Sequence, residues 1–124
     1  MILVDTSIWI DHLHQAQPAL VALLDADEVG CHPLVIEELA LGSIRQRTTV
    51  LGLLASQRML PVLSHAELLA MVEAHGLWGR GLSVADVHLL GAVALADGAR
   101  LWTRDKRLLA ACGDLGLASY APHH

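Results

Sequence analysis

Two short apolar runs, one near each end of the chain, each deliver an aspartate to the head of the next segment. Ile2-Leu3-Val4 leads into Asp5 and Thr6-Ser7, and Leu101-Trp102-Thr103 leads to Asp105. Each run has the length and composition of a buried strand that stops at the start of a helix. If the two strands lie parallel in one sheet, both acids emerge at the same edge, where open α/β sheets carry their sites. Two carboxylates from opposite ends of the chain would then meet, which is a metal site in outline.

The rest of the chain fits that sheet. A strand over Ile2–Val4 is followed by a helix over Thr6–His14, and Pro18 starts a second helix over Ala19–Ala26. Val29–His32 reads as a strand. Pro33 sits where the first turn of a helix tolerates it, and that helix stops at Gly42. Thr48–Gln57 continues helical, Met59–Leu63 is a strand, and Ser64 caps a helix running to Gly76. Gly76 to Gly81, with Trp78 and Arg80, is a loop near the working edge. Ser83-Val84-Ala85-Asp86 has the capping-box pattern at the head of a helix to Ala96. Leu101–Thr103, a helix over Lys106–Cys112 and a last strand over Leu117–Ala121 complete the alternation. Alternating strands and helices without repeats or a long linker predict an α/β fold, a mainly parallel sheet covered on both faces.

At 124 residues the chain is expected to form one domain, residues 1–124, with a continuous core. Hydrophobic residues make up 54% and Phe is absent, so Leu, Val, Ala and three Trp must fill that core. Disorder is excluded on the same ground. The longest apolar stretches, such as Leu89 to Ala96, fall well short of the roughly 20 residues a membrane-spanning helix needs. No basic leader precedes the first strand, so the expected location is cytoplasmic with no membrane partner. Cys31 and Cys112 have no zinc-site or C-x-x-C spacing and read as buried reduced thiols. His123 and His124 are given no function.

The net charge of −5 argues against a nucleic-acid partner until the acids are placed in one cleft, which changes that sum locally. Arg104, Lys106 and Arg107 cluster around the second acidic strand end, either as solvated surface charges or as contacts to a phosphate backbone. Four carboxylates are available for a cleft: Asp5, Asp105, Asp86 and one of Glu37 or Glu38. Brought together without a cation they would repel, and some would take up protons. Mg²⁺ suits such oxygen ligands and is normally held by carboxylates together with a substrate phosphate, so the cluster points to phosphate chemistry. Each acid also has an ordinary explanation. Asp5 and Asp105 are suited to cap the helices after them, and Asp86 completes a capping box. Helical periodicity does not choose between Glu37 and Glu38.

The segments Leu3-Val4-Asp5-Thr6-Ser7-Ile8-Trp9-Ile10-Asp11, Glu38-Leu39-Ala40-Leu41-Gly42, Leu82-Ser83-Val84-Ala85-Asp86-Val87-His88-Leu89-Leu90 and Leu101-Trp102-Thr103-Arg104-Asp105 resemble the PIN-domain ribonucleases, in particular the VapC toxins of bacterial toxin–antitoxin pairs. The four segments keep the family's order and spacing across essentially the whole chain. The resemblance implies a three-layer α/β/α sandwich with strand order 3-2-1-4-5 and an endoribonuclease dependent on Mg²⁺ or Mn²⁺. It carries the acidic roles onto Asp5, Glu38, Asp86 and Asp105, with Asp5, Asp86 and Asp105 as metal ligands. Glu38 is preferred to Glu37 because it opens the E-L-x-x-G pattern. Thr6, Ser7 and Thr103 match the small hydroxyl positions that support the site. The resemblance also implies an RNA substrate, a homodimer and a cognate antitoxin protein seated in an apolar groove. Trp9, Leu13, Leu20, Leu23 and Leu24 are the candidate antitoxin contacts, each with core packing as its ordinary role.

Other α/β enzymes fit less well. A haloacid-dehalogenase-type phosphatase needs an acid two residues after Asp5, where this chain has Ser7. A receiver domain wants an acidic pair near Asp5 and a lysine at a late strand end, where Asp105 stands. No Walker A or G-x-G-x-x-G pattern is present. His12 and His14 lie two apart, on different helix faces, and make a poor zinc pair. The reading from another class is a non-catalytic module that keeps the fold and binds a partner protein through an apolar groove. Presence of all four acids disfavours it.

Overall fold

The computed structural model describes residues 1–122, and His123 and His124 lie outside the described residues. Strand β1 (Ile2–Val4) is followed by helices α1 (Thr6–His14) and α2 (Pro18–Asp25). Then come β2 (Val29–Cys31), α3 (Pro33–Ala40), α4 (Arg47–Ala55) and β3 (Arg58–Met59). Helices α5 (His65–His75) and α6 (Val84–Leu95), strand β4 (Arg100–Trp102) and α7 (Lys106–Asp114) complete the chain. The four strands are all parallel and lie in the order β3-β2-β1-β4. Leu3 pairs with Gly30 on one side and Leu101 on the other.

That order contains a reversal. The chain steps outward from β1 to β2 to β3, then returns to place β4 on the far side of β1. In an open parallel sheet, a crevice forms at such a reversal, beyond the carboxyl ends of the two central strands. Here those ends are Val4 and Trp102, paired with each other in the sheet. Asp5 comes directly after the first and Thr103 after the second.

Two strand expectations are corrected. The last segment does not form a full fifth strand: it makes one parallel bridge, Ser119 to Leu101, so the sheet has the order 3-2-1-4 with a single further contact. Leu101 N–H donates to the Ala118 carbonyl at 3.0 Å and Tyr120 N–H to the Leu101 carbonyl at 2.8 Å. The ladder stops there because Pro122 stands where the next N–H would be needed, while the Ser119 carbonyl, facing away from the ladder, is taken by the Arg100 guanidinium at 2.9 and 3.1 Å. The third strand is Arg58–Met59 rather than Met59–Leu63. Leu60 N–H still reaches the Cys31 carbonyl at 2.8 Å, and Pro61 then ends the pairing.

The core is one contiguous cluster of apolar side chains from the strands and the sheet-facing sides of the helices, including Leu3, Val4, Ile8, Leu20, Val35, Leu90, Leu101 and Leu108. A residue without a Cβ is required in the middle of β2. A Cβ on Gly30 would stand 2.4 Å from Leu60 Cδ1 and 2.5 Å from the Met1 sulfur, so a larger residue would displace both. Among the described residues no helix is long and apolar enough to cross a membrane.

Candidate functional site

Asp5 and Asp105 emerge at the reversal point of the sheet, and hydrogen bonds link their supports. Asp5 is the N-cap of α1: its Oδ1 accepts from Thr6 N–H at 2.8 Å, and its Oδ2 accepts from the Thr103 hydroxyl at 2.7 Å. The Thr103 oxygen in turn accepts from Asp105 N–H at 3.0 Å. One buried hydroxyl therefore fixes the side chain of Asp5 and the backbone of Asp105. On the other flank, the buried Thr6 hydroxyl donates to Glu38 Oε1 at 2.8 Å. Glu38, not Glu37, carries that bond. Ser7 is exposed on the first turn of α1.

The capping explanations of the acids hold as well, and they leave oxygen atoms over. Asp105 takes both Arg107 N–H and Leu108 N–H on Oδ1, at 2.9 and 3.0 Å, so Oδ2 stands outside the cap. Asp86 and Ser83 form a reciprocal capping box on α6, with Asp86 Oδ2 accepting from Ser83 N–H at 2.9 Å and Oδ1 outside it. Capping thus orients these carboxylates while using one oxygen of each.

The electrostatics tie Asp5 to its neighbours. Burial pushes its carboxyl above the ordinary value, and the negative charges of Asp86 and Asp105 add to the push. The hydrogen bonds from Thr103 and Thr6 oppose it. A half-buried carboxylate facing two others is a position where a cation is favoured. Among the described residues no three His, Cys, Asp or Glu side chains are drawn close enough to enclose a metal ion. The donor set, carboxylates and hydroxyls without thiolate or imidazole, fits a hard ion such as Mg²⁺ or Mn²⁺.

The remaining predicted residues divide. Arg104 turns away from the acids: its guanidinium pairs with Asp11 on α1 and reaches Gln17 Oε1 at 3.3 Å. Lys106 and Arg107 line a shallow hollow with Arg80 and Ala110. Of the candidate antitoxin contacts, Trp9, Leu20 and Leu23 are core residues at 3%, 0% and 8% exposure, so apolar packing leaves them little surface for a partner. Leu24 packs partly against the same core, and Leu13 is exposed. Leu13 instead lines a groove of about 420 Å³ with Ile10, Leu39, Ile44 and Arg45, and Glu38 stands at its wall. Sequence reasoning missed this groove because Ile44 and Arg45 lie in an irregular connection with no periodicity to read.

His32 is a second residue that the sequence hides, since it falls at the end of a predicted strand. It is fully buried and is the N-cap of α3, its Nδ1 accepting from Leu34 N–H at 3.1 Å. Its ring lies 5.9 Å from that of His88 on α6. A His directly before a helix-starting Pro was the available signal. Burial lowers its pKa, the neighbouring His88 lowers it further, and the Pro61 carbonyl works the other way.

Comparison with known proteins agrees with this fold. The PIN domain family matches residues 2–114. Ribonuclease VapC32 of Mycobacterium tuberculosis, in strains CDC 1551 / Oshkosh and ATCC 25618 / H37Rv, is 64% identical over 118 residues, covering 95% of this chain and 95% of the relative. PAE2754 from Pyrobaculum aerophilum superposes with a TM-score of 0.55 at 25% identity, covering 89% of this chain and 83% of that one. FitAcB from Neisseria gonorrhoeae superposes with a TM-score of 0.62 at 23% identity over 98% and 97% of the two chains, a likeness of fold. The chain belongs to the PIN-domain family.

Proposed function

We propose that this protein is a metal-dependent endoribonuclease that acts as the toxin of a toxin–antitoxin pair, hydrolysing RNA phosphodiester bonds. The observation that carries the reading is the Thr103 hydroxyl bonded to both the Asp5 carboxylate and the Asp105 N–H at the sheet reversal, with Asp86 near enough for its charge to act on Asp5. The 64% identity to a ribonuclease of the VapC type supports it.

Asp5, Asp86 and Asp105 would hold a Mg²⁺ or Mn²⁺ ion, with Glu38 as the fourth acid. Such an ion supplies a water of lowered pKa and neutralises charge that builds on the phosphate. The protein's own part is positioning. Thr103 holds Asp5 and the turn carrying Asp105 in one arrangement, and Thr6 does the same for Glu38. The capping box on α6 aims Asp86.

The apolar groove beside Glu38 supports an antitoxin as partner, with Leu13 as a contact. A homodimer and a cytoplasmic location complete the reading. The test is cleavage of RNA by the purified chain with Mg²⁺ or Mn²⁺ and with EDTA, alongside Asp5→Asn and Asp86→Asn. Cleavage should require the metal and fall by orders of magnitude in both variants. Equal cleavage by all three chains contradicts the reading.

A further inference from the structure

The loop between α5 and α6 carries an exposed aromatic ring, Trp78, and two residues later a cation, Arg80, that lies against α7. Trp78 is 64% exposed, whereas Trp9 and Trp102 are each 3% exposed. A bare indole on a charged rim is unusual, since leaving it in water forfeits the burial that most Trp side chains gain. Two residues on, Arg80 is held along α7 by Asp114, Nη2 to Oδ2 at 2.7 Å. Arg80 then lines an open hollow with Lys106, Arg107 and Ala110.

The hollow is shaped by Gly81. This residue has φ +75°, and a Cβ on it would stand 2.7 Å from Arg107 Nη1 and 2.9 Å from Arg107 Cδ. A larger residue there would be strained by the positive φ and would push the Arg107 side chain aside. Lys106 and Arg107 come directly after Asp105, and Gly81 stands two residues before Ser83, the cap partner of Asp86. The hollow therefore lies between the two segments that bring acids to the site. Asp114 offsets one of its three cations. The Asp105 carboxylate already satisfies Arg107 N–H and Leu108 N–H, so side chains and not the helix end are left to receive an anion.

We propose that Trp78, Arg80, Lys106 and Arg107 form a docking tract for single-stranded RNA next to the acidic site, the cations receiving backbone phosphates and Trp78 stacking on a base. Cations along a backbone path with an aromatic platform are the recurring means of holding single strands. The inference rests on the ribonuclease reading and adds where the strand lies.

The test uses the full chain carrying Asp5→Asn, so that RNA is not consumed, and a short single-stranded RNA as probe. Tryptophan emission reports on Trp78, the exposed one of three. RNA should quench it, and Trp78→Leu should abolish the quenching and weaken binding roughly tenfold. Lys106→Gln and Arg107→Gln should each lower the slope of log affinity against log salt by about 0.7, the value for one phosphate contact on a single strand. Arg58→Gln, at the opposite end of the strands and paired with Asp27, should change neither readout. RNA that binds with no quenching and with an unaltered slope in both cation variants overturns the tract and leaves the ribonuclease reading standing. No RNA binding, either by this chain or by the unsubstituted chain in EDTA, overturns both.

Discussion

The Thr103 hydroxyl donates to Asp5 Oδ2 at 2.7 Å across 98 residues of sequence and accepts from Asp105 N–H on its other side. With the backbone bond from Asp5 N–H to the Trp102 carbonyl at 2.9 Å, it joins the two ends of the chain at the sheet reversal. Thr103→Val keeps the shape and removes both bonds, leaving a buried carboxylate oxygen and an amide short of a partner. Stability should fall by about 1–3 kcal/mol in urea titrations, with a larger proportional loss of cleavage. Thr103→Ser should recover most of both. A Val variant with unchanged cleavage would show that the hydroxyl does not position the acids.

Asp86 serves the helix and the site through different properties, which separates them experimentally. Asp86→Asn keeps a side-chain oxygen for Ser83 N–H and removes the charge, so stability should hold within about 0.5 kcal/mol while cleavage falls at least a hundredfold. Ser83→Ala removes the hydroxyl that accepts Asp86 N–H and should cost about 1 kcal/mol of stability. Thermal melts and cleavage rates on the same preparations check both.

His32 predicts a loss of stability in mild acid. Its pKa is lowered in the folded chain, by burial first and by His88 second, so below the unfolded value of about 6.5 the unfolded chain binds more protons. The stabilisation from the neutral ring is therefore complete above that pH and is lost as pH falls from 6.5 toward the folded pKa. His32→Asn keeps a capping oxygen without a titrating group. Urea midpoints at pH 5 and pH 7.5 should differ less in that variant than in the parent, and an equal difference in both contradicts the assignment.

Cys31 should be inert in the folded protein. Burial pushes its thiol up to about 11, and Cys112 is raised for the same reason. A thiol reagent at pH 8 should label neither cysteine until denaturant is added. Rapid labelling of the native chain would place at least one thiol at the surface.

The strand ends and caps were legible because short-range chemistry writes them. Ile2-Leu3-Val4-Asp5 and Ser83 to Asp86 state their structure within four residues, and Pro33 and Ser64 mark their helices. What was not legible depends on partners far away in sequence. The direction of Arg104 is set by Asp11, 93 positions away, and the Arg100 guanidinium is held by the Ser119 carbonyl, 19 positions on. Trp9, Leu20 and Leu23 could not be divided from surface residues by periodicity alone, because α1 and α2 carry apolar residues on more than one face. Periodicity left Glu37 and Glu38 undivided and the E-L-x-x-G pattern chose Glu38, whereas the bond it takes from Thr6, 32 positions earlier, was not written in either.

The central claim is that Asp5, Asp86 and Asp105 act together on one divalent ion. Binding of Mn²⁺ to the full chain, monitored by electron paramagnetic resonance, tests it without any RNA. The parent should bind the ion, and Asp5→Asn, Asp86→Asn and Asp105→Asn should each weaken binding at least tenfold while remaining folded. Equal Mn²⁺ affinity in the parent and all three variants would contradict it.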